Sequence, residues 1–293
     1  MPAIPAEFIP EVQSYTVAMP TGVLATEVGG GAARYTLQYD RGVQRFGISM
    51  ALTAGQFSVW NAFYFYSIAK GTVAFTMPLD SGLGTASHSV NILPDSYSAR
   101  AQDGFWLVAF VVETTSAVYA LSGPEVAAYG LSAASLPNGL EPMLESYGIG
   151  DPGGTMASDV AGGVGAYALD YARGLQRFAC QLLLTAEQYA AWTVWFHRLV
   201  GKGSYTFDMP LDSGFGVQTH AANIVPGSVS ATRSGGLLTL LSFAVDAEPK
   251  AYDMTPAQAQ SLIDLYAIYT TDTDTLLAAL ARFALVDSLA LDL

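Results

Sequence analysis

The sequence predicts an α+β fold, mostly β, laid down twice: two tandem copies of an antiparallel strand-rich domain, each with one amphipathic helix. Three observations predict it. The chain repeats itself at an offset of 132 residues, its apolar residues alternate in short runs, and one capped helical stretch recurs at the same place in each copy. The repeat is the strongest. RGVQRFGISMALTAGQF… from Arg41 and RGLQRFACQLLLTAEQY… from Arg173 share 27 of the 59 positions from 41 to 99 without a gap. The same offset pairs Ser14-Tyr15 with Ser146-Tyr147, Gly30-Gly31 with Gly162-Gly163, and Pro124 with Pro256. Two repeats this long are two domains rather than a solenoid of many shorter units. The domains fall at 1–132 and 133–293, and 293 residues suffice for two ordinary domains.

Each copy follows one order of elements. An extended run, Arg34 to Asp40 or Tyr167 to Ala172, leads into the alternating runs Arg45 to Leu52 and Arg177 to Leu184. Thr53-x-x-Gln56 and Thr185-x-x-Gln188 then match a capping box, in which the Thr hydroxyl accepts from a first-turn N–H and the Gln reaches back. The helices that follow carry the stripes Phe57, Trp60, Phe63, Tyr64, Ile68 and Tyr189, Trp192, Trp195, Phe196, Val200. That spacing buries one face and makes Trp60, Trp192, Phe63 and Trp195 candidate core residues. Lys70-Gly71 and Lys202-Gly203 suit helix ends. Short strands over Val73 to Met77 and Tyr205 to Met209 place Phe75 and Phe207 in the core, and Pro78 and Pro210 are expected to end them. Asp-Ser-Gly turns at 80–82 and 212–214 follow. Strands are expected around Val90 to Leu93, Phe105 to Glu113, Ala222 to Val225 and Leu237 to Asp246. The tail from Thr255 to Thr270 and Asp274 to Leu285 reads as helical, with Thr255-Pro256 as its start.

Composition narrows function. Charged residues make up 13% of the chain against 51% hydrophobic, so a lone monomer would expose a sticky surface that an oligomer could cover. A net charge of −13 disfavours attraction to nucleic-acid phosphates, and no polybasic run suits a membrane surface. Cys180 is the single cysteine, which leaves no intrachain disulfide and no cysteine-based zinc site. MPAIPAEFIPE lacks the basic and apolar regions of a signal peptide, and no apolar run reaches the about 18 residues of a transmembrane helix.

Catalytic chemistry is sparse. Asp80, Ser81 and His88, with Asp212, Ser213 and His220, allow a Ser-His-Asp reading on paper. No G-x-S-x-G elbow accompanies it, and turn capping by the Asp and Ser, with the His in a following loop, is the simpler reading. His88, His197 and His220 are scattered without metal-ligand spacing, although calcium in an acidic loop is compatible with the composition. Gly29-Gly30-Gly31 and Gly162-Gly163 lack the Lys-Ser/Thr of a phosphate loop and read as loops. No catalytic, metal or cofactor residues are assigned and no cofactor is expected. Arg41, Arg45, Arg173 and Arg177 stand out among twelve basic residues: they brace their own domains through acids, or they pair across a subunit interface.

The block R-x-F…L-T-x-x-Q-x-x-x-W-x-x-[FW]-[YF]…[KG]-G-x-x-x-F-x-M-P-L, at Arg45 to Leu79 and Arg177 to Leu211, resembles the tube-forming domain of tailed-phage tail tube, distal tail and tail-tip proteins. The resemblance implies an antiparallel β-sandwich or barrel-like domain with one helix, assembled into rings stacked as a tube. It brings no catalytic residues. The family usually builds hexamers from one domain, so two copies per chain imply homotrimeric rings of six pseudo-equivalent domains. They also imply other tail proteins as partners, no membrane, a virion location after assembly in the host cytoplasm, and DNA passing an acidic lumen without specific binding. Two other readings stand beside it. One is a duplicated carbohydrate- or receptor-binding module, cued by Tyr97, Phe105 and Trp106 in loops. The other is an enzyme.

Overall fold

Alternation makes strands in this chain wherever one face finds a core. The structure, a computed structural model, describes residues 1–8, 15–19, 22–26, 33–143, 147–158, 165–234, 238–268 and 273–283. Gly29–Gly31, Gly162-Gly163, Ser14 and Ser146 lie outside the described residues. The fold is mostly β, with large antiparallel sheets and few helices.

The first half contains β1 (Thr16–Ala18), β2 (Val23–Thr26), β3 (Arg34–Leu37), β4 (Val43–Leu52), α1 (Ala54–Ala62), β5 (Phe75–Asp80), β6 (Thr85–Ile92), β7 (Ser98–Gln102), β8 (Phe105–Thr115) and the short α2 (Gly123–Ala127). The second contains β9 (Gly148–Ile149), β10 (Thr155–Ser158), β11 (Ala166–Leu169), β12 (Gln176–Leu184), α3 (Ala186–Val194), β13 (Phe207–Asp212), β14 (Val217–Ile224), β15 (Ser230–Ser234), β16 (Leu238–Ala247), α4 (Pro256–Ile268) and α5 (Thr273–Arg282). Shifted by the repeat offset, β1 to β8 fall on β9 to β16 and α1 falls on α3.

Twelve of the strands form one sheet. Its middle runs β7–β8–β4–β1–β15–β16–β12–β9, antiparallel throughout, and the hairpins β6–β5 and β14–β13 continue it from β8 and β16. The pairs β2–β3 and β10–β11 are separate hairpins. Along β4, Phe46, Ile48, Met50 and Leu52 face inward and are buried; Phe178, Cys180, Leu182 and Leu184 do the same on β12.

Both capping boxes form. Thr53 and Thr185 accept from the N–H of Gln56 and Gln188 (3.3 Å each), and each Gln returns its side-chain oxygen to the Thr N–H at 2.9 Å. Each helix then widens by one π turn, Ile68 N–H donating to Phe63 O at 3.1 Å and Val200 N–H to Trp195 O at 3.0 Å. Lys70 (φ 60°) and Lys202 (φ 58°) reverse the chain in the left-handed region ahead of Gly71 and Gly203. Gly is required after them because a Cβ at 71 or 203 would stand 2.7 or 2.5 Å from Ile92 or Ile224 Cβ. The six candidate core residues Trp60, Trp192, Phe63, Trp195, Phe75 and Phe207 are all buried. The tail is helical from Pro256, where Thr255 and Gln258 make a further capping box.

Two expectations are corrected. Pro78 and Pro210 do not end their strands, which run on to Asp80 and Asp212. The reason is the edge. The N–H and C=O of Thr76 point away from β6, to Pro2 O and Ile4 N–H (2.9 Å each), and Pro78, two residues on, turns the same way, so no ladder N–H is missing. His88 and His220 are not in loops either. They lie within β6 and β14 and are buried, because they share the inward parity of Val90 and Ile92, and of Ala222 and Ile224.

Candidate assembly interface

The two halves join through a strand. β1 pairs with β4 of its own half on one side and with β15 of the other half on the other, in the register Thr16↔Thr232, Val17↔Ala231, Ala18↔Ser230. Backbone bonds from Arg233 N–H to Tyr15 O and from Met19 N–H to Val229 O, both 3.4 Å, extend the pairing. Val17 is thereby 3% exposed.

Side chains widen the junction. The Lys202 ammonium donates to Tyr39 O at 2.7 Å and sits 4.8 Å from the Tyr39 ring centre. Tyr119 Oη meets His197 Nδ1 at 3.0 Å, Arg198 donates to the carbonyls of Val118 and Leu121 (3.2 and 3.0 Å), and Trp195 Nε1–H donates to Ser132 O at 3.0 Å. Tyr35 on β3 reaches across to Asp246 at 2.5 Å. Arg233 pairs with Asp80, and Gly82 packs against Thr193 so closely that a Cβ would overlap its hydroxyl. Burial pushes the His197 pKa down to about 3, with the Lys202 charge acting in the same direction. Burial likewise lowers the Lys202 ammonium and raises the Tyr119 phenol to about 12. Val17 and His197 are thus both buried within the junction.

The outer ends of the sheet lack this cover. Among the described residues β7 pairs only with β8, and β9 only with β12. Ile149, at the repeat position of Val17, is 47% exposed. Phe65, at that of His197, is 50% exposed, and Tyr66 beside it 87%.

Of the four arginines, three pair within their own half: Arg45 with Glu113 at 2.8 Å, Arg177 with Asp246 at 2.9 Å, and Arg173 with Glu248 at 2.6 Å. All three are more than half exposed on the side chain. Arg41 borders the cleft between the halves with Asp40, Tyr119, His197 and Arg198.

The Ser-His-Asp sets divide unequally. Asp80 and Asp212 accept from the N–H groups of Gly82 and Gly214 at 2.9 and 2.8 Å, the turn role. Ser213 Oγ lies 3.2 Å from His220 Nε2, but His220 Nδ1 meets Gln218 O rather than Asp212. Among the described residues, His88 Nε2 has no hydrogen-bond partner. Burial lowers the pKa of both histidines. Among the described residues no three His, Cys, Asp or Glu side chains gather at metal-binding distance. Tyr97 and Trp106, expected in loops, stack on helix-side aromatics: Tyr97 on Tyr64 (4.4 Å between ring centres) and Trp106, within β8, on Phe57 (4.2 Å). No helix among the described residues is long and apolar enough to cross a membrane.

Sequence reasoning singled out none of the junction residues Tyr39, Lys202, Tyr119 and Arg198 as such. The available signal was unequal substitution within the repeat, Phe65-Tyr66 against His197-Arg198, where apolar and polar side chains occupy equivalent positions. No protein-family model matches the chain, and no curated protein matches it.

Proposed function

We propose that this chain is a structural virion protein of a phage tail, two tandem tail-tube-like domains per chain, with three chains forming a ring of six pseudo-equivalent domains around a DNA channel. The carrying observation is the mode of joining: the halves are linked edge to edge and head to tail, by a strand of one completing the sheet of the other. A head-to-tail contact closes into a ring or runs on as a helix, and it leaves one unlike edge at each end, as β7 and β9 are. The resemblance of the blocks at Arg45 to Leu79 and Arg177 to Leu211 selects the tail-tube family. The net charge of −13 suits a lumen that repels DNA phosphates. In this reading the chain has structural work only; a distal-tail or tip ring is the same assembly used once instead of stacked.

Negative-stain electron microscopy of the purified full-length chain tests the proposal. Rings or tubes with a central hole are the expected result. A strictly monomeric species at high concentration and under tail-assembly conditions would count against it.

A further inference from the structure

We infer that the edge of β9 in one chain pairs with the edge of β7 in a second copy, reproducing between chains the β1–β15 junction within the chain, in the register Gly148↔Arg100, Ile149↔Ala99, Gly150↔Ser98. The occupant is taken from the ring reading; the surfaces and register go beyond it.

The register is the observed one moved by the repeat offset, since Thr16, Val17 and Ala18 become 148–150 and Thr232, Ala231 and Ser230 become 100–98. β9 is ready for it: it already sits on β12 as β1 sits on β4, with Ile149↔Phe178 and Gly148↔Ala179 matching Val17↔Phe46 and Thr16↔Gly47, and Gly150 N–H donating to Arg177 O at 2.7 Å. An open row of N–H and C=O groups is a template for another strand. Ile149, Ala99 and the flanking helix carry the apolar surface that such a strand would cover.

Some of the side-chain partners recur as well. Tyr171 stands at the repeat position of Tyr39 and Lys70 at that of Lys202. Lys70 is exposed in the free chain, whereas Lys202 is buried on Tyr39, so the new junction offers Lys70 the Tyr171 carbonyl and ring of the next copy. Tyr167 stands at the position of Tyr35 on the equivalent hairpin. It is 78% exposed, and the corresponding target strand is β8 of the neighbour, around Thr114. The exposed Phe65 and Tyr66 occupy the helix face that, at His197 and Arg198, is covered by the segment 118–121; the segment 250–253 is its equivalent. The polar contacts of Arg233, His197, Arg198 and Trp195 do not recur: Ala101 (with Arg100 next to it), Phe65, Tyr66 and Phe63 stand at their repeat positions.

Site-directed disulfide formation tests the register. Because Arg233 and Tyr15, and Met19 and Val229, are bonded pairs, Thr16 and Thr232 form a non-hydrogen-bonded pair, the kind whose side chains approach most closely. The matching variant is Gly148→Cys with Arg100→Cys in the full chain. A Cβ at 148 meets nothing closer than 3.5 Å, and Arg100 is exposed, so folding is preserved and circular dichroism checks it. Cys180 is buried, its thiol pushed up to about 12, and stays out of the exchange. The control moves one cysteine two residues along, to Ser98→Cys. On oxidation the matched pair is expected to link into covalent trimers on a non-reducing gel, while each single variant stops at dimers and the shifted pair links slowly. Covalent chains longer than three would support the junction and defeat the three-chain ring. Oligomers by native mass spectrometry without matched linkage, or with the shifted pair linking faster, would overturn the junction and leave the ring standing. A chain that neither links nor associates would overturn both.

Discussion

The two repeat-related helices, α1 and α3, have nearly the same fold and opposite fates. On α3 and the turn after it, both faces are buried: Trp192, Trp195 and Val200 on the inner face, and Thr193 and His197 against Gly82 and Tyr119 of the first half. On α1 only the inner face is covered. Trp60, Phe63 and Ile68 are buried, while Val59, Phe65 and Tyr66 face solvent. β1 and β9 differ in the same way, Val17 covered and Ile149 bare. The repeated sequence therefore sets each half's core, and position in the chain decides which edges are covered. A surface that is buried once and bare at its equivalent place is where the proposed neighbour would dock.

The largest effect should fall where the halves agree. Trp60→Ala and Trp192→Ala each empty the centre of a core and should cost about 3–5 kcal/mol in chemical denaturation. Equal losses mean the cores are independent of the junction. A much larger loss at Trp192, whose half is braced by the other, would mean that the halves unfold as one unit.

The turn glycines sharpen the comparison. Gly82 (φ 101°) and Gly214 (φ 103°) share a conformation unfavourable to other residues, at about 1–2 kcal/mol. Only at 82 would a Cβ also strike Thr193, and no described atom lies within 4 Å of one at 214. Gly82→Ala should thus lose about 1–3 kcal/mol more than Gly214→Ala by overpacking. In assembly the order should reverse: Gly214→Ala should fold and fail to form rings, since the proposed junction would put the next copy's Asn61 where Thr193 stands at Gly82.

Acid should open the inner junction. His197 is buried and its folded-state pKa, about 3, lies below the unfolded value of about 6.5. The unfolded chain binds the extra proton between those values, so this contribution to stability is whole above about pH 6.5 and is lost progressively down to about pH 3. His197→Phe, the side chain found at position 65, should lower the dependence of melting temperature on pH over that window. An unchanged slope would mean the histidine finds water or a partner when protonated.

The smallest effects belong to the arginines. Arg45 holds Glu113 through an exposed pair, the kind worth about 0.2–1 kcal/mol. Arg177 makes two bonds to Asp246 (2.9 and 3.1 Å), whose carboxylate is 8% exposed and also held by Tyr35, so Arg177→Ala should cost more than Arg45→Ala in thermal melts. If either arginine also bridges chains, its variant should melt nearly normally yet fail to assemble, as electron microscopy of the same sample would reveal.

Much of each half could be read from the sequence because its cause is local. Thr53-x-x-Gln56 names a helix start, and the stripe from Trp60 to Ile68 names its buried face. Alternation from Arg45 to Leu52 names a strand and its inward side. The full extent of the proline strands is not legible, because a strand tolerates proline where the position faces away from the ladder, which only strand order decides. The burial of His88 is not legible either, because a polar residue at inward parity can be enclosed by its neighbours. The junction was out of reach for a similar reason: nothing within Tyr39 or Lys202 says that residues 163 positions apart will meet. The difference between Phe65 and His197 hints at it once the repeat is aligned, but does not say which copy is covered.

Native mass spectrometry of the assembled full-length chain tests the central claim most directly. The account predicts a closed species of three chains, or stacks in multiples of three, lost in a variant that places a charge on the β9 edge, Ile149→Asp, while the fold persists. A chain that stays monomeric, or assembles in another multiple and is indifferent to Ile149→Asp, would contradict it.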